Sequence, residues 1–204
     1  MSQQDDRAKL TPPPVRAPTT EEELLAVHVG APTPHNGTIS LAEYDPAWPA
    51  LYAAEASKIR AALGERALLL EHVGSTSVPG LTAKPLIDII LVVADPADEA
   101  AYVPALEAAG YGLHIREPDW YEHRMLKGAE PPVNLHVFSP GCEEIERMLL
   151  FRDWLRSHDD DRDRYTRAKR GLAAHEWTYV QHYADAKSEV VREIIIRAIA
   201  APVE

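Results

Sequence analysis

Leu86–Val93 is a run of branched aliphatic side chains interrupted once, by Asp88. Its length and Ile/Val content predict a buried strand, and it is too short to span a bilayer. An unpaired carboxylate inside such a strand costs several kcal/mol. Asp88 must therefore meet a cation, a metal ion or the mouth of a cleft. The strand follows a loop of small hydroxyl residues, Gly74-Ser75-Thr76-Ser77, with Lys84 in between. Gly74 carries no Cβ, so a ligand could come close to the backbone there. The hydroxyls and amides of Ser75, Thr76 and Ser77 are of the kind that hold phosphate oxygens, and Lys84 could add a point charge. The plainer alternative is a Gly-Ser turn with Asp88 paired to Lys84 or to an arginine.

The rest of the chain alternates helical and extended patterns. Asp45 before Pro46 predicts a helix over Pro46–Leu63, and Leu68–Val73 has the length of a strand. Asp95-Pro96 predicts a helix ending near Gly110. Three further strands are expected at Tyr111–Arg116, Tyr121–Lys127 and Asn134–Phe138, with a turn at Pro118–Asp119 between the first two. From Glu143 to Ala201 the pattern is helical, with breaks expected at Ser157–Asp160 and at Gly171. This order predicts an α/β (α+β) fold: a mixed, largely antiparallel sheet with flanking helices and a helical C-terminal half. Residues 1–37 read as a Pro-rich, mostly flexible extension holding a short helix over Glu21–Val29, capped by Thr19 or Thr20. Residues 38–204 read as the domain.

A formal net charge of -11 argues against general nucleic-acid binding, which needs a basic face, but leaves room for a local basic site. A single cysteine, Cys142, forbids an intrachain disulfide, and no apolar leader follows Met1. The expectation is a cytoplasmic protein with no membrane partner and a small-molecule ligand.

The run His72-Val73-Gly74-Ser75-Thr76-Ser77-Val78-Pro79-Gly80-Leu81, with Ala83-Lys84-Pro85 and Ile87-Asp88-Ile89, resembles the signature of the GrpB family. The resemblance continues through Asn134-Leu135-His136-Val137 and Leu150–Arg156, then Tyr165, Lys169, Tyr183 and Lys187, so it spans roughly Ile39 to Ala201. It implies a fold similar to polymerase-β-like nucleotidyltransferases, in which a Gly-Ser turn precedes a strand bearing metal-binding carboxylates. Gly74 and Ser75 match the turn and Asp88 the first carboxylate. Ile90 stands where that superfamily pattern has a second acid, and His136 takes the place of a later-strand ligand. The implied site has Asp88 and Lys84 as catalytic groups and Asp88 with His136 on a Mg²⁺ ion. ATP or another nucleotide is the implied substrate.

On the C-terminal helices, Arg152 and Arg156 share an i,i+4 face, as do Tyr165 with Lys169 and Tyr183 with Lys187. If these faces meet the Gly-Ser loop, they complete a phosphate- or carboxylate-binding pocket. Ordinary ion pairs within a helical subdomain would use the same residues. His114, His123 and His136 lie on three expected strands and invite a zinc reading without a spacing motif behind it. Cys142 opens a helix, a position that can lower a thiol pKa, although a small buried residue is the simpler reading. Trp48, Trp120, Trp154 and Trp177 read as core or interface.

Three functions follow as expectations. One is a nucleotidyltransferase-like domain that binds a nucleotide or another phosphorylated or carboxylated small molecule. Another is a non-catalytic interaction or folding-support domain, since GrpB-like domains occur fused to dephospho-CoA kinase. The last is ATP-dependent activation of a small acid in a tailoring pathway.

Overall fold

The computed structural model of the chain describes residues 10–15 and 17–202. The apolar runs on either side of the hydroxyl loop form β1 (Leu69–Val73) and β2 (Ile87–Val92), paired antiparallel. After β3 (Tyr111–Glu117) and β4 (His123–Gly128), the strand β5 (Val133–Phe138) inserts between β2 and β4, giving the order β1-β2-β5-β4-β3. Every neighbouring pair is antiparallel except β2 with β5. That parallel pair sets Asp88 opposite Asn134 and brings His136 onto the same face.

Each face of β2 has its own cover. Ile87, Ile89 and Leu91 pack under α2 (Trp48–Leu63), whose buried Ala56, Ile59 and Leu63 recur at helical spacing. Asp45 sets the entry to α2, its Oδ1 accepting from the amide of Ala47 at 2.8 Å. On the other face Ile90 and Val92 pack with Val73, Phe138 and Ile145 of α4 (Glu143–Ser157), while Asp88 lies at the open end of the same row. Full burial of Ile90 stabilises the fold by roughly 1.5–3 kcal/mol. The C-terminal half continues with α5 (Asp159–Ala173), α6 (Val180–Ala186) and α7 (Ser188–Ala200). Among the described residues no helix is long and apolar enough to cross a membrane.

Two helical expectations are corrected. The stretch after Asp95 forms a short 3₁₀ turn at Glu99–Ala101 and then α3 (Val103–Ala108), not one continuous helix. Pro104 has no amide to donate and disfavours helical backbone in the residue before it, so it can only sit in a first turn. Gly171 does not break α5, which runs through it to Ala173; the glycine is exposed. Strand β4 begins at His123 because Tyr121 and Glu122 take positive φ angles of 54° and 51°.

The N-terminal stretch also differs from a loose extension. Thr20 and Glu23 form a reciprocal capping box for α1 (Glu21–Val27), and Leu24 is buried. The amide of Val29 donates to the carbonyl of His114 at 2.9 Å and that of His35 to Thr178 at 2.7 Å. Upstream, Thr11 bonds Glu143, and the amide of Thr19 donates to Asp185 at 2.8 Å. Flexibility at residues 1–9 and 16 concerns positions outside the described residues.

Candidate functional site

The hydroxyl loop closes on itself as a 3₁₀ turn, Ser75–Ser77. The Ser77 hydroxyl donates to the carbonyl of Gly74 at 2.6 Å and that of Thr76 to Leu86 at 3.0 Å, so both are used within the loop. Gly74, at φ 67°, does not leave room for a ligand, because Asp88 occupies the space a side chain would need. From this loop only Ser75 reaches the adjoining cavity.

That cavity, about 880 Å³, lies between the open end of β2–β5–β4, the helices α5 and α6, and the N-terminal segment. Lys84, Lys127, Lys169 and Lys187 line it, and Asp88 is the single lining carboxylate among the described residues. The Asp88 Oδ1 accepts from Asn134 Nδ2 at 3.0 Å and lies 3.6 Å from His136 Nε2. On its other side the His136 ring meets His123 at 3.1 Å, and His123 Nδ1 lies 2.7 Å from Glu117, which fixes the orientation of both imidazoles.

The helical cations divide into two groups. Lys169 is 2% exposed, donates to Ser75 Oγ at 3.1 Å and to the carbonyl of Thr82, and sits 4.7 Å over the Tyr165 ring. Burial pushes its pKa down to about 7, with repulsion from Lys187 adding to the fall. Lys187 lies 4.3 Å over the ring of Tyr183; burial lowers its pKa to about 8 against the pull of Asp88. The Tyr183 hydroxyl is buried and finds no partner among the described residues. Such an orphaned group costs about 1–3 kcal/mol unless a ligand or water meets it.

Arg152 and Arg156 do not line the cavity. Arg152 pairs with Glu71 at 2.7 Å and donates to the carbonyl of His72, and Arg156 donates to that of Ser77 at 2.8 Å. Both brace the loop from behind. Tyr165 likewise supports Lys169 without lining the cavity. The structure therefore gathers Ser75, Lys84, Asp88, His136, Lys169, Tyr183 and Lys187 around one space, and keeps Gly74, Thr76, Ser77, Arg152, Arg156 and Tyr165 in the framework around it.

The zinc reading of three histidines is corrected. His123 and His136 meet, but His114 turns to Lys127 at 2.8 Å and to His28, and no group of three metal-ligating residues occurs among the described residues. Cys142 is buried, and burial raises its thiol pKa in spite of its place at the start of α4. Lys127 was not legible as a site residue, and its contact with His114, beside the register shift between Leu113 and Ile115, had no local sequence signal. His28 comes from a stretch whose composition reads as loop.

A family model described as GrpB protein matches residues 38–197. The UPF0157 protein BH1888 of Halalkalibacterium halodurans is 63% identical over 183 residues, covering 90% of this chain and 94% of that protein. The dephospho-CoA kinase of Mycolicibacterium paratuberculosis is 30% identical over 186 residues, 78% of this chain but 46% of the kinase. Among solved structures, the conserved protein GrpB from Enterococcus faecalis superposes with a TM-score of 0.68 at 30% identity, covering 78% of this chain and 97% of that one.

Proposed function

The chain belongs to the GrpB family, and from that premise we propose that its cavity binds a small anion, a nucleotide or another phosphorylated or carboxylated compound. One observation carries the reading: among the described residues, four lysines and a single carboxylate line one cavity of a chain whose net charge is -11. Lysines gathered at one concavity repel each other until an anion offsets them, and the low-dielectric wall strengthens that attraction. The orphaned Tyr183 hydroxyl supplies a directed donor at the same place.

A nucleotide carried with Mg²⁺ suits the donor set best. Asp88 would hold such an ion through a carboxylate oxygen, as Mg²⁺ sites that lean on substrate phosphates commonly need only one or two protein carboxylates. His136, 3.6 Å away, could ligate or hydrogen-bond on the neighbouring side. When bound, the ion would polarise phosphoryl oxygens; the lysines and Tyr183 would hold and orient the phosphates.

Nucleotidyl transfer extends this reading through the resemblance to polymerase-β-like enzymes. A non-catalytic binding or folding-support role is the alternative, and Ile90 favours it. That side chain is fully buried beneath Phe138 and Ile145, so a second carboxylate is missing and the position is closed to one. The relationship to dephospho-CoA kinases, whose length this domain spans in part, fits the same alternative.

Calorimetric titration with ATP and Mg²⁺, beside citrate and inorganic tripolyphosphate, tests the binding claim. The expected outcome is binding that weakens about tenfold in Lys187→Met. Failure of every anion to bind the folded chain would overturn it. Release of pyrophosphate from ATP in the presence of candidate acceptors would separate transfer from binding alone.

A further inference from the structure

One wall of the cavity is built partly by residues that precede the family-matched region at 38. Leu24 is buried on α1, His28 follows the helix, and Pro32 is buried farther along. An isolated bridge between His28 and Ile115 fastens this segment along β3. A second bridge, Gly37 to Trp177, fastens its far end near α6. The segment is thus held at both ends.

What it encloses differs in chemistry from the lysine cluster. The His28 ring meets the edge of His114 with centroids 5.1 Å apart at 77°. His28 Nδ1 donates to the carbonyl of Leu24 at 2.6 Å, which fixes the ring's orientation. Ile115, Met125 and Val133 supply apolar surface alongside. Two fixed imidazoles, a thioether and branched aliphatics make a lining that favours a flat ring over a further anionic group. Lys127 stands at the junction, its ammonium 2.8 Å from His114 Nε2, and lines the cavity together with Lys84.

We infer that the N-terminal segment, with His114 and Met125, forms a ring-binding subsite that receives the heterocyclic base of an anionic ligand whose phosphates rest on the lysine cluster. The inference rests on the anion-binding reading above and deepens it by naming the residues that would hold the base of a nucleotide. The subsite gives affinity through ring stacking and apolar contact, without reading the identity of the base by hydrogen bonds. Relatives that differ ahead of residue 38 would then share the phosphate end and differ at the ring end.

The test compares two probes on the full chain by calorimetry: ATP and inorganic tripolyphosphate, each with Mg²⁺. ATP is expected to bind about tenfold or more tightly, the scale of one stacked base. His28→Ala should remove most of that advantage while leaving tripolyphosphate within about twofold. His28→Phe, which keeps a ring, should retain it. Thermal melts of both variants would establish that they fold like the parent. Equal affinity of the parent for the two probes would overturn the subsite and leave the anion reading standing, as would a His28→Ala variant that keeps the full ATP advantage. Failure of both probes to bind would overturn the anion reading, and the subsite with it.

Discussion

Gly74 and Asp88 occupy each other's space: a Cβ at position 74 would lie 2.2 Å from Asp88 Oδ2 and 2.9 Å from its Cβ and Cγ. The glycine's φ of 67° with ψ of -173° is a conformation that side chains rarely adopt. The need for glycine at this position thus comes from the strand beside it as well as from the loop. Gly74→Ala should destabilise the chain by about 3 kcal/mol or more, from backbone strain and from displacement of the carboxylate. Adding Asp88→Ala should recover only part of the steric cost, because the Cβ contact at 2.9 Å remains. Urea denaturation of the two single variants and the double variant measures this coupling; additivity would show that the two residues do not share the space.

Arginines and lysines on the helical half should part company. Arg152→Met breaks a partly buried contact with Glu71 and the His72 carbonyl, and should cost about 2 kcal/mol of stability with little effect on anion affinity. Lys187→Met should do the reverse. Denaturation and calorimetry on the same two proteins check it, and an affinity loss in Arg152→Met would return that residue to the site.

Raising the pH should strengthen the fold and weaken the ligand. The Lys187 pKa is lowered in the folded state to about 8, so between that value and the ordinary lysine range the unfolded chain binds a proton that the folded chain does not. Stability therefore rises with pH across that window, and the penalty is fully present below it. An anion favours the charged ammonium, so binding near pH 8 to 9 should take up protons. Calorimetry in buffers of different ionisation enthalpy reads the uptake directly. Its absence, or a melting temperature whose pH slope is unchanged in Lys187→Met, would contradict the assignment.

Truncation should separate the two parts of the N-terminal stretch. Removing residues 1–19 deletes exposed contacts such as that of Thr11 with Glu143 and leaves the Thr20 cap of α1, so the melting temperature should fall by a few degrees at most. Removing residues 1–37 deletes buried Leu24 and Pro32 and one wall of the cavity. ATP affinity should then fall about tenfold or more, while the shorter deletion leaves it intact.

Much of the sheet was legible because β1 and β2 lie in dense aliphatic runs and β5 alternates apolar with polar residues. Asp88 stood out for the same reason, as a lone charge in such a run. The cavity wall was harder to foresee. Arg152 and Lys169 look alike in sequence, both being helical cations near a tyrosine or an acid, and only the packing of α4 and α5 decides which faces inward. His28 and Lys127 carry no local signal, since their roles depend on a bulge in β3 and on a segment docked from far away in the chain. The helix expected after Asp95 failed on a single residue, Pro104, whose missing amide outweighs the apolar pattern around it.

The insertion of β5 between β2 and β4 has a consequence for the order of events during synthesis. Until residues 133–138 have left the ribosome, β2 and β4 have no partner on their facing edges, and Asp88 has neither Asn134 nor His136 beside it. The strand that closes the sheet is also the one that completes the cavity floor, across a gap of roughly 45 residues whose closure is entropically costly and slow. A nascent or prematurely ended chain lacking β5 therefore exposes two open strand edges and lacks the Asn134 and His136 side of the cavity, so capture of the proposed anion would report that the ribosome has delivered the central strand of the sheet.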